Sequence, residues 1–341
     1  MIKLKFNFRN LDLNKVLIGA GALALVFVVV FLFWWNKEIV VSKGGKVENA
    51  GVKSSISGIE CERAKERPFA IMLAGDREAI PLSGLSQADM VFEMPVAPNS
   101  ITRFMAVYQC EQPKEIGSIR SSREDFIALA KGLKAIYAHW GGEHEALTKL
   151  NNGIIDNIDA MKYEGTVFYR KKGAPPPHNG FTDLDLLSKK AEDLSYNLED
   201  QFSGYPHIEK VKNKTLSNLA NLIPVGYAKP FDALWVFDSN KNVYKRSRNG
   251  DPEVDKNTSE QVSASVVVLM KTDVAFWRDQ YMRVDVEGEG EAQIYQGGIV
   301  INGKWKKDPV NLDSKLSFYD TEGKEIKFLP GKIWVEIVSD N

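Results

Sequence analysis

The chain has 341 residues, 44% of them hydrophobic and 26% charged, enough for about two folded domains with their own cores. Its formal charge is −1; Lys3, Lys5, Arg9 and Lys15 against Asp12 give the first fifteen residues +3, so the remainder carries −4. That balance excludes a disordered or collagen-like chain and argues against a nucleic-acid reader, which would present a basic face.

Residues 16–36, VLIGAGALALVFVVVFLFWWN, carry no charge, and at about 1.5 Å per residue they reach across a hydrocarbon layer of roughly 30 Å. Trp34 and Trp35 mark the outer edge of this expected transmembrane helix. The cations before it make residues 1–15 a cytoplasmic segment and place everything beyond about Lys37 outside the cytoplasm. A cleaved signal peptide is the alternative, but WWNKEIV has no small-residue cleavage site. The chain is therefore expected in the cell membrane as a single-pass protein. Residues 37–66, polar and rich in Gly and Ser, read as a flexible stalk. The two cysteines, Cys61 and Cys110, lie on the exported side, where a disulfide between them is permitted; two separate buried thiols are the other reading.

Residues 67–229 read as a mixed α/β domain. PFAIMLAG, MVFEMPV and TRFMAVYQC are strand candidates, the last two joined by a short turn that suggests a hairpin. Ser121 and Glu124 have capping-box spacing ahead of an apolar-faced helix through Phe126, Leu129 and Leu133. AIYAHW either continues that helix or turns into a strand. EHEALTKL and Asp183 to Leu194 read as two further helices. From about Pro230 to the end, short apolar runs alternate with turn signals such as Asn249-Gly and Asn302-Gly, so 230–341 reads as an all-β domain.

The ordered motifs RPFAIML, LSQADMVFE, SITRFMAVYQ, IGSIRSSRE, AIYAHWGG and APPPHNGFT, followed by EGEGEAQIYQGGIVINGKWKK and LPGKIWVEIV, resemble the two domains of the domain of unknown function 3048 family, a group of YerB-like bacterial envelope lipoproteins. The resemblance spans about Arg67 to Val338 and implies a two-domain extracytoplasmic protein without supplying a reaction. The sequence departs from the lipoprotein pattern in one respect: Trp34 and Trp35 stand where a lipidated cysteine is expected.

Glu93, Arg103, Arg120 and Arg123 match the family's characteristic acid and arginine positions. On a hairpin, Glu93 and Arg103 could approach each other, and Arg120 and Arg123 at a helix start would add donors for a carboxylate or phosphate. The bland alternative makes Glu93 an internal counter-ion. Arg170, His178 and Asn179 flank or occupy a proline-rich loop that could close a pocket wall.

His139, Glu143, His144 and Glu145 lack HExxH spacing, no G-x-S-x-G is present, and GEGEAQIYQGG has no strand–loop–helix context, so neither a metal nor a cofactor is expected. Trp235, Trp277, Trp305 and Trp334 read as core in preference to a sugar-stacking surface. The expectation is an envelope protein that binds an anionic or glycan component, peptidoglycan or a partner protein. The alternative is an enzyme cleaving peptidoglycan glycan strands, with Glu93 as general acid and Asp125 or Asp156 as conceivable second carboxylates.

Overall fold

The computed structural model describes residues 51–98, 101–208, 220–278 and 280–340. The expected cytoplasmic segment, the span at 16–36 and the first part of the expected stalk lie outside the described residues. Among the described residues no helix is long and apolar enough to cross a membrane.

The first segment contributes strands β1 (Phe69–Ala74), β2 (Met90–Ala97) and β3 (Ile101–Tyr108), helix α1 (Glu124–Gly132), strand β4 (Ile136–His139), helix α2 (His144–Asn151), strand β5 (Asn157–Asp159) and helix α3 (Leu184–Asp193). β1 is buried along its whole length, which is why FAIMLA reads as a continuous apolar run with no alternation: both faces of its sheet are covered. Lys134, with φ of 56°, takes the left-handed conformation that ends α1, so AIYAHW resolves as a strand. The Ser121 cap does not form. Arg123 is the N-cap residue, and the Glu124 N–H donates to the Glu143 carboxylate at 2.8 Å instead.

The second segment supplies β6 (Leu222–Val225), β7 (Ala233–Asp238), β8 (Val243–Arg248), β9 (Val266–Thr272), β10 (Gly288–Gln296), β11 (Ile299–Lys307), β12 (Ser317–Asp320) and β13 (Ile333–Ser339), with no α-helix among the described residues. The two segments meet in one ten-stranded sheet ordered β12-β11-β10-β9-β13-β2-β3-β1-β4-β5. The join is made by the last strand: β13 lies parallel to both β9 and β2, with Phe92 opposite Val335 and Glu93 opposite Glu336. One face of this sheet packs on α1 through Phe126, Leu129 and Leu133. The other packs on α3 and on the smaller sheet built from β6, β7 and β8, with Trp235 and Tyr244 wholly buried.

Residues 51–66, read from sequence as part of a flexible stalk, are packed. Ile56 and Ser57 have no exposure, because the Ser54 hydroxyl accepts both of their N–H groups and itself donates to Gln109 at 2.6 Å. Gly58, at φ of 66°, brings the chain so close to His207 that a Cβ would sit 2.5 Å from the ring. Cys61 and Cys110 are disulfide-bonded across 49 residues, a closure that contributes about 4 kcal/mol in the chain-entropy model.

Candidate functional site

The β2–β3 register sets the geometry. Glu93 stands opposite Phe104, and Met94 opposite Arg103. Successive side chains on a strand point to opposite faces, so Glu93 and Arg103 sit on opposite sides of the sheet and do not approach each other as the hairpin suggested.

On the face of the smaller sheet, Glu93 enters a sealed network of charge. Its Oε1 accepts from the Thr102 hydroxyl and from Arg248 Nη2, each at 2.5 Å, and its Oε2 accepts from Arg246. Arg246 donates through Nε to Glu336 Oε1 at 3.2 Å and through Nη1 to Glu253; Arg248 donates to Glu253 Oε1 at 3.1 Å. Trp235 Nε1 donates to Glu336 at 2.8 Å, and the Arg246 guanidinium lies 4.8 Å from the Trp334 ring centroid. Glu93, Arg246 and Glu336 are completely buried.

Three carboxylates share two guanidiniums here, and the imbalance divides their protonation. Burial pushes Glu336 up to about 7, against the pull of Arg246. Burial also acts to raise Glu93, but Arg246, Arg248 and their hydrogen bonds together outweigh it and hold Glu93 below the ordinary carboxylate value. A general acid needs the reverse shift and access to a leaving oxygen. A neighbouring cavity of about 230 Å³ is lined by Arg77, Phe231, Arg248 and Glu253 but not by Glu93. Glu93 is thus a counter-ion, and its partners are two arginines that the motif reading did not name.

On the opposite face the electrostatics invert. Arg103 is 3% exposed and donates through Nη1 to the Ser121 carbonyl at 3.0 Å. Arg120 is fixed by its backbone, whose N–H donates to Met72 at 2.9 Å and whose carbonyl accepts from Trp140 at 3.0 Å. Its Nε stands 3.6 Å from Asp76 Oδ2. Arg123 Nη1 donates to the Ser122 carbonyl at 2.9 Å, while its Nε stays 3.8 Å from Glu143. The Nε atoms of Arg103, Arg120 and Arg123, the Nδ1 of His178 and the Oδ2 of Asp76 are all buried without a hydrogen-bond partner.

Burial, then the charges of Arg123 and Arg120, push Arg103 down to about 9, with Asp76 opposing. Burial likewise lowers His178, whose electrostatic neighbours are Asp76, Arg120, Glu78 and Arg103. Four of the residues singled out in the sequence, Arg103, Arg120, Arg123 and His178, are therefore neighbours. Arg170 and Asn179 face each other: Arg170 Nη1 donates to Asn179 Oδ1 at 2.9 Å, its Nε pairs with Glu164 at 2.7 Å, and its guanidinium lies 4.3 Å from the Trp140 ring centroid. These two brace the proline-rich loop against Trp140. Gly180 allows that docking, since a Cβ there would meet the Trp140 ring at 2.4 Å.

The remaining candidates have structural partners. His139 is fully buried between the Gly141 carbonyl at 2.8 Å and Asn157 at 3.2 Å. Asp156 pairs with Arg67 at 2.6 Å, and Glu145 pairs with Arg278. Asp125 accepts from the Val284 N–H at 2.9 Å, and burial pushes its pKa up to about 7. Among the described residues no group of three His, Cys, Asp or Glu side chains is arranged to hold a metal ion. Trp235, Trp305 and Trp334 are core, but Trp277 is 50% exposed.

Comparison with known proteins places these features in context. Residues 56–197 match the family model described as Protein of unknown function (DUF3048) N-terminal domain, and residues 223–335 match the corresponding C-terminal domain. A Bacillus subtilis protein named as a lipoprotein, YerB, is 29% identical over 323 residues, covering 93% of this chain and 94% of its own. The crystal structure of Bacillus subtilis YerB superposes with a TM-score of 0.75 at 28% identity, over 84% of this chain and 96% of that one.

Proposed function

Because this chain belongs to the DUF3048 family, with both its N- and C-terminal domains present, we propose that it is a membrane-anchored extracytoplasmic protein that binds an anionic group of a cell-envelope component at Arg103, Arg120, Arg123 and His178. The observation that carries this reading is the trio of arginines, one buried and two partly buried, whose buried Nε atoms have no hydrogen-bond partner. Two carboxylates, Asp76 and Glu143, approach them, but only at 3.6 and 3.8 Å. Burying guanidiniums together costs free energy unless an anion completes them, and the planar fork matches a carboxylate or phosphate. The contrast with Arg246 and Arg248 supports the reading: on the other face their donors are taken by Glu93, Glu253, Glu336 and the Phe231 carbonyl.

Three features support the location. The relative is named as a lipoprotein, the apolar run at 16–36 is long enough to span a bilayer, and the Cys61–Cys110 disulfide suits an oxidising compartment. Since those are the only two cysteines in the sequence and they bond to each other, the apolar run is the anchor in this reading.

The test uses the full chain in detergent micelles. Wild type and the Arg120→Ala, Arg123→Ala double variant are compared for co-sedimentation with isolated peptidoglycan sacculi and for titration with inorganic phosphate, with circular dichroism to establish folding. The reading predicts that the folded double variant loses whichever interaction the wild type shows; retention at full strength would refute it. Arg120→Lys, which keeps charge but not the fork, should fall between the two.

A further inference from the structure

The fold places an aromatic ribbon beside the arginines. Val274–Arg278 and Tyr281–Val284 pair antiparallel, with Phe276 opposite Met282 and Arg278 opposite Tyr281. The ribbon is fastened at three points around the start of α1. The Val284 N–H donates to Asp125, the Arg278 guanidinium pairs with Glu145 of α2, and the Tyr281 ring lies 4.7 Å from the guanidinium carbon of Arg123. Val284 is buried in the core while Phe276 and Trp277 stay 60% and 50% exposed. The Arg283 guanidinium lies 5.0 Å from the Trp277 ring centroid.

Trp277 is half exposed on a ribbon that the structure pins in place, whereas Trp235, Trp305 and Trp334 are buried in the core. Trp277 shares its face of the ribbon with Tyr281 and Arg283, whereas Phe276, opposite Met282, lies on the other face; Trp277 and Tyr281 form an aromatic lip beside Arg123. The faces of such rings are electron-rich and attract the weakly positive C–H face of a pyranose, while their edges and the neighbouring Arg283 offer polar contacts. A ligand that satisfies both regions must carry a carboxylate and a saturated ring within the same short unit. Charge complementarity at Arg103, Arg120 and Arg123 selects the carboxylate, and the lip selects the ring.

Building on the proposed anion site, we infer that its ligand is an acidic glycan, a strand of N-acetylated amino sugars bearing carboxylates, whose carboxylate sits on the arginines while an adjoining sugar stacks on Trp277. Trp277 then acts as a specificity determinant for the glycan, distinct from the charge that holds the anion.

The experiment titrates the detergent-solubilised full chain with three probes: glycan strands released from peptidoglycan by an amidase, the neutral N-acetylglucosamine hexamer, and inorganic phosphate. The inference expects the acidic strands to bind best, Trp277→Ala to weaken them about tenfold, and Trp277→Phe to recover most of the loss. Trp277→Ala should leave any phosphate binding unchanged. Unaltered glycan affinity in Trp277→Ala, with loss in Arg120→Ala, Arg123→Ala, would overturn the aromatic lip and leave the anion site standing. Equal binding of the neutral hexamer in that arginine variant and the wild type, with no binding of the acidic strands, would overturn both.

Discussion

The two faces of one hairpin carry opposite solutions to the same problem. On one face Glu93, Glu253 and Glu336 enclose Arg246 and Arg248, and four of the five side chains are 3% exposed or less. On the other, Arg103, Arg120 and Arg123 are gathered with their Nε atoms unbonded. The first is fully buried and its guanidiniums are all engaged, although Glu336 Oε2 is left without a partner; the second is partly exposed and sets two carboxylates, Asp76 and Glu143, at 3.6 and 3.8 Å, against three arginines. A network that completes itself joins parts of a fold; one that stops short is suited to a ligand. Here the first ties β2 to β8 and β13 and so joins the two family domains, while the second lies beside the start of α1 and the proline-rich loop.

Stability and binding should therefore separate by face. The largest effect is expected from Arg246→Ala, which leaves three carboxylates around a missing cation and should cost about 3–5 kcal/mol in urea unfolding. A loss under about 1 kcal/mol would mean that the network does not hold the halves together. Glu93→Gln keeps the shape but removes a charge from both arginines, so a loss of roughly 2 kcal/mol is expected, with glycan or phosphate binding unchanged. A binding defect in folded Glu93→Gln would return this acid to the functional site.

The pH dependence sharpens the contrast. Glu336 is raised from 4.5 to about 7, so the native state favours its protonated form. Its contribution to stability is complete below its ordinary value of 4.5 and is lost as pH rises through about 7. Asp125, raised from 3.8 to about 7, acts in the same direction. Glu336→Gln stays neutral throughout, so its unfolding free energy should fall less steeply between about pH 5 and pH 8 than that of the wild type. Identical slopes would show that Glu336 is ionised across the range. The smallest change in stability is expected for Arg120→Ala, within about 1 kcal/mol, since its ion pair with Asp76 is partly exposed and without a hydrogen bond, and a like charge is relieved. Calorimetric unfolding beside the binding titration checks that the loss is one of ligand and not of fold.

Much of the first segment was legible because its strands are apolar on both faces and its helices amphipathic; α3 starts one residue after its Asp183 cap, whose side chain accepts from the Leu186 N–H. Of the four motif residues, Arg103, Arg120 and Arg123 lie together while Glu93 is on the opposite face, and His178 from the proline-rich loop joins the arginines in place of the acid. The partners of Glu93 were missed because they come from residues 153 and 155 positions away, on a strand whose YKRSR pattern looks solvent-facing. Its two-residue alternation actually buries Tyr244, Arg246 and Arg248 on one side. A signal was present: MVFEMPV and IWVEIV each place one acid inside an otherwise apolar strand, which demands a buried cation. The ribbon was lost among four tryptophans treated alike, since exposure depends on which strands find neighbours. The segment 51–66 looked like linker because its order comes from side-chain caps and a disulfide, not from periodicity.

The most direct test observes all five arginines at once. Nitrogen-15 spectra of the arginine Nε–H groups in the full chain, assigned by Arg→Lys substitution, would be followed during titration with amidase-released glycan strands and, separately, with inorganic phosphate. Saturable shifts of Arg103, Arg120 and Arg123, with Arg246 and Arg248 unmoved, are the predicted result. No shift with either probe, or shifts of the sealed pair alone, would contradict an anion site on the open face.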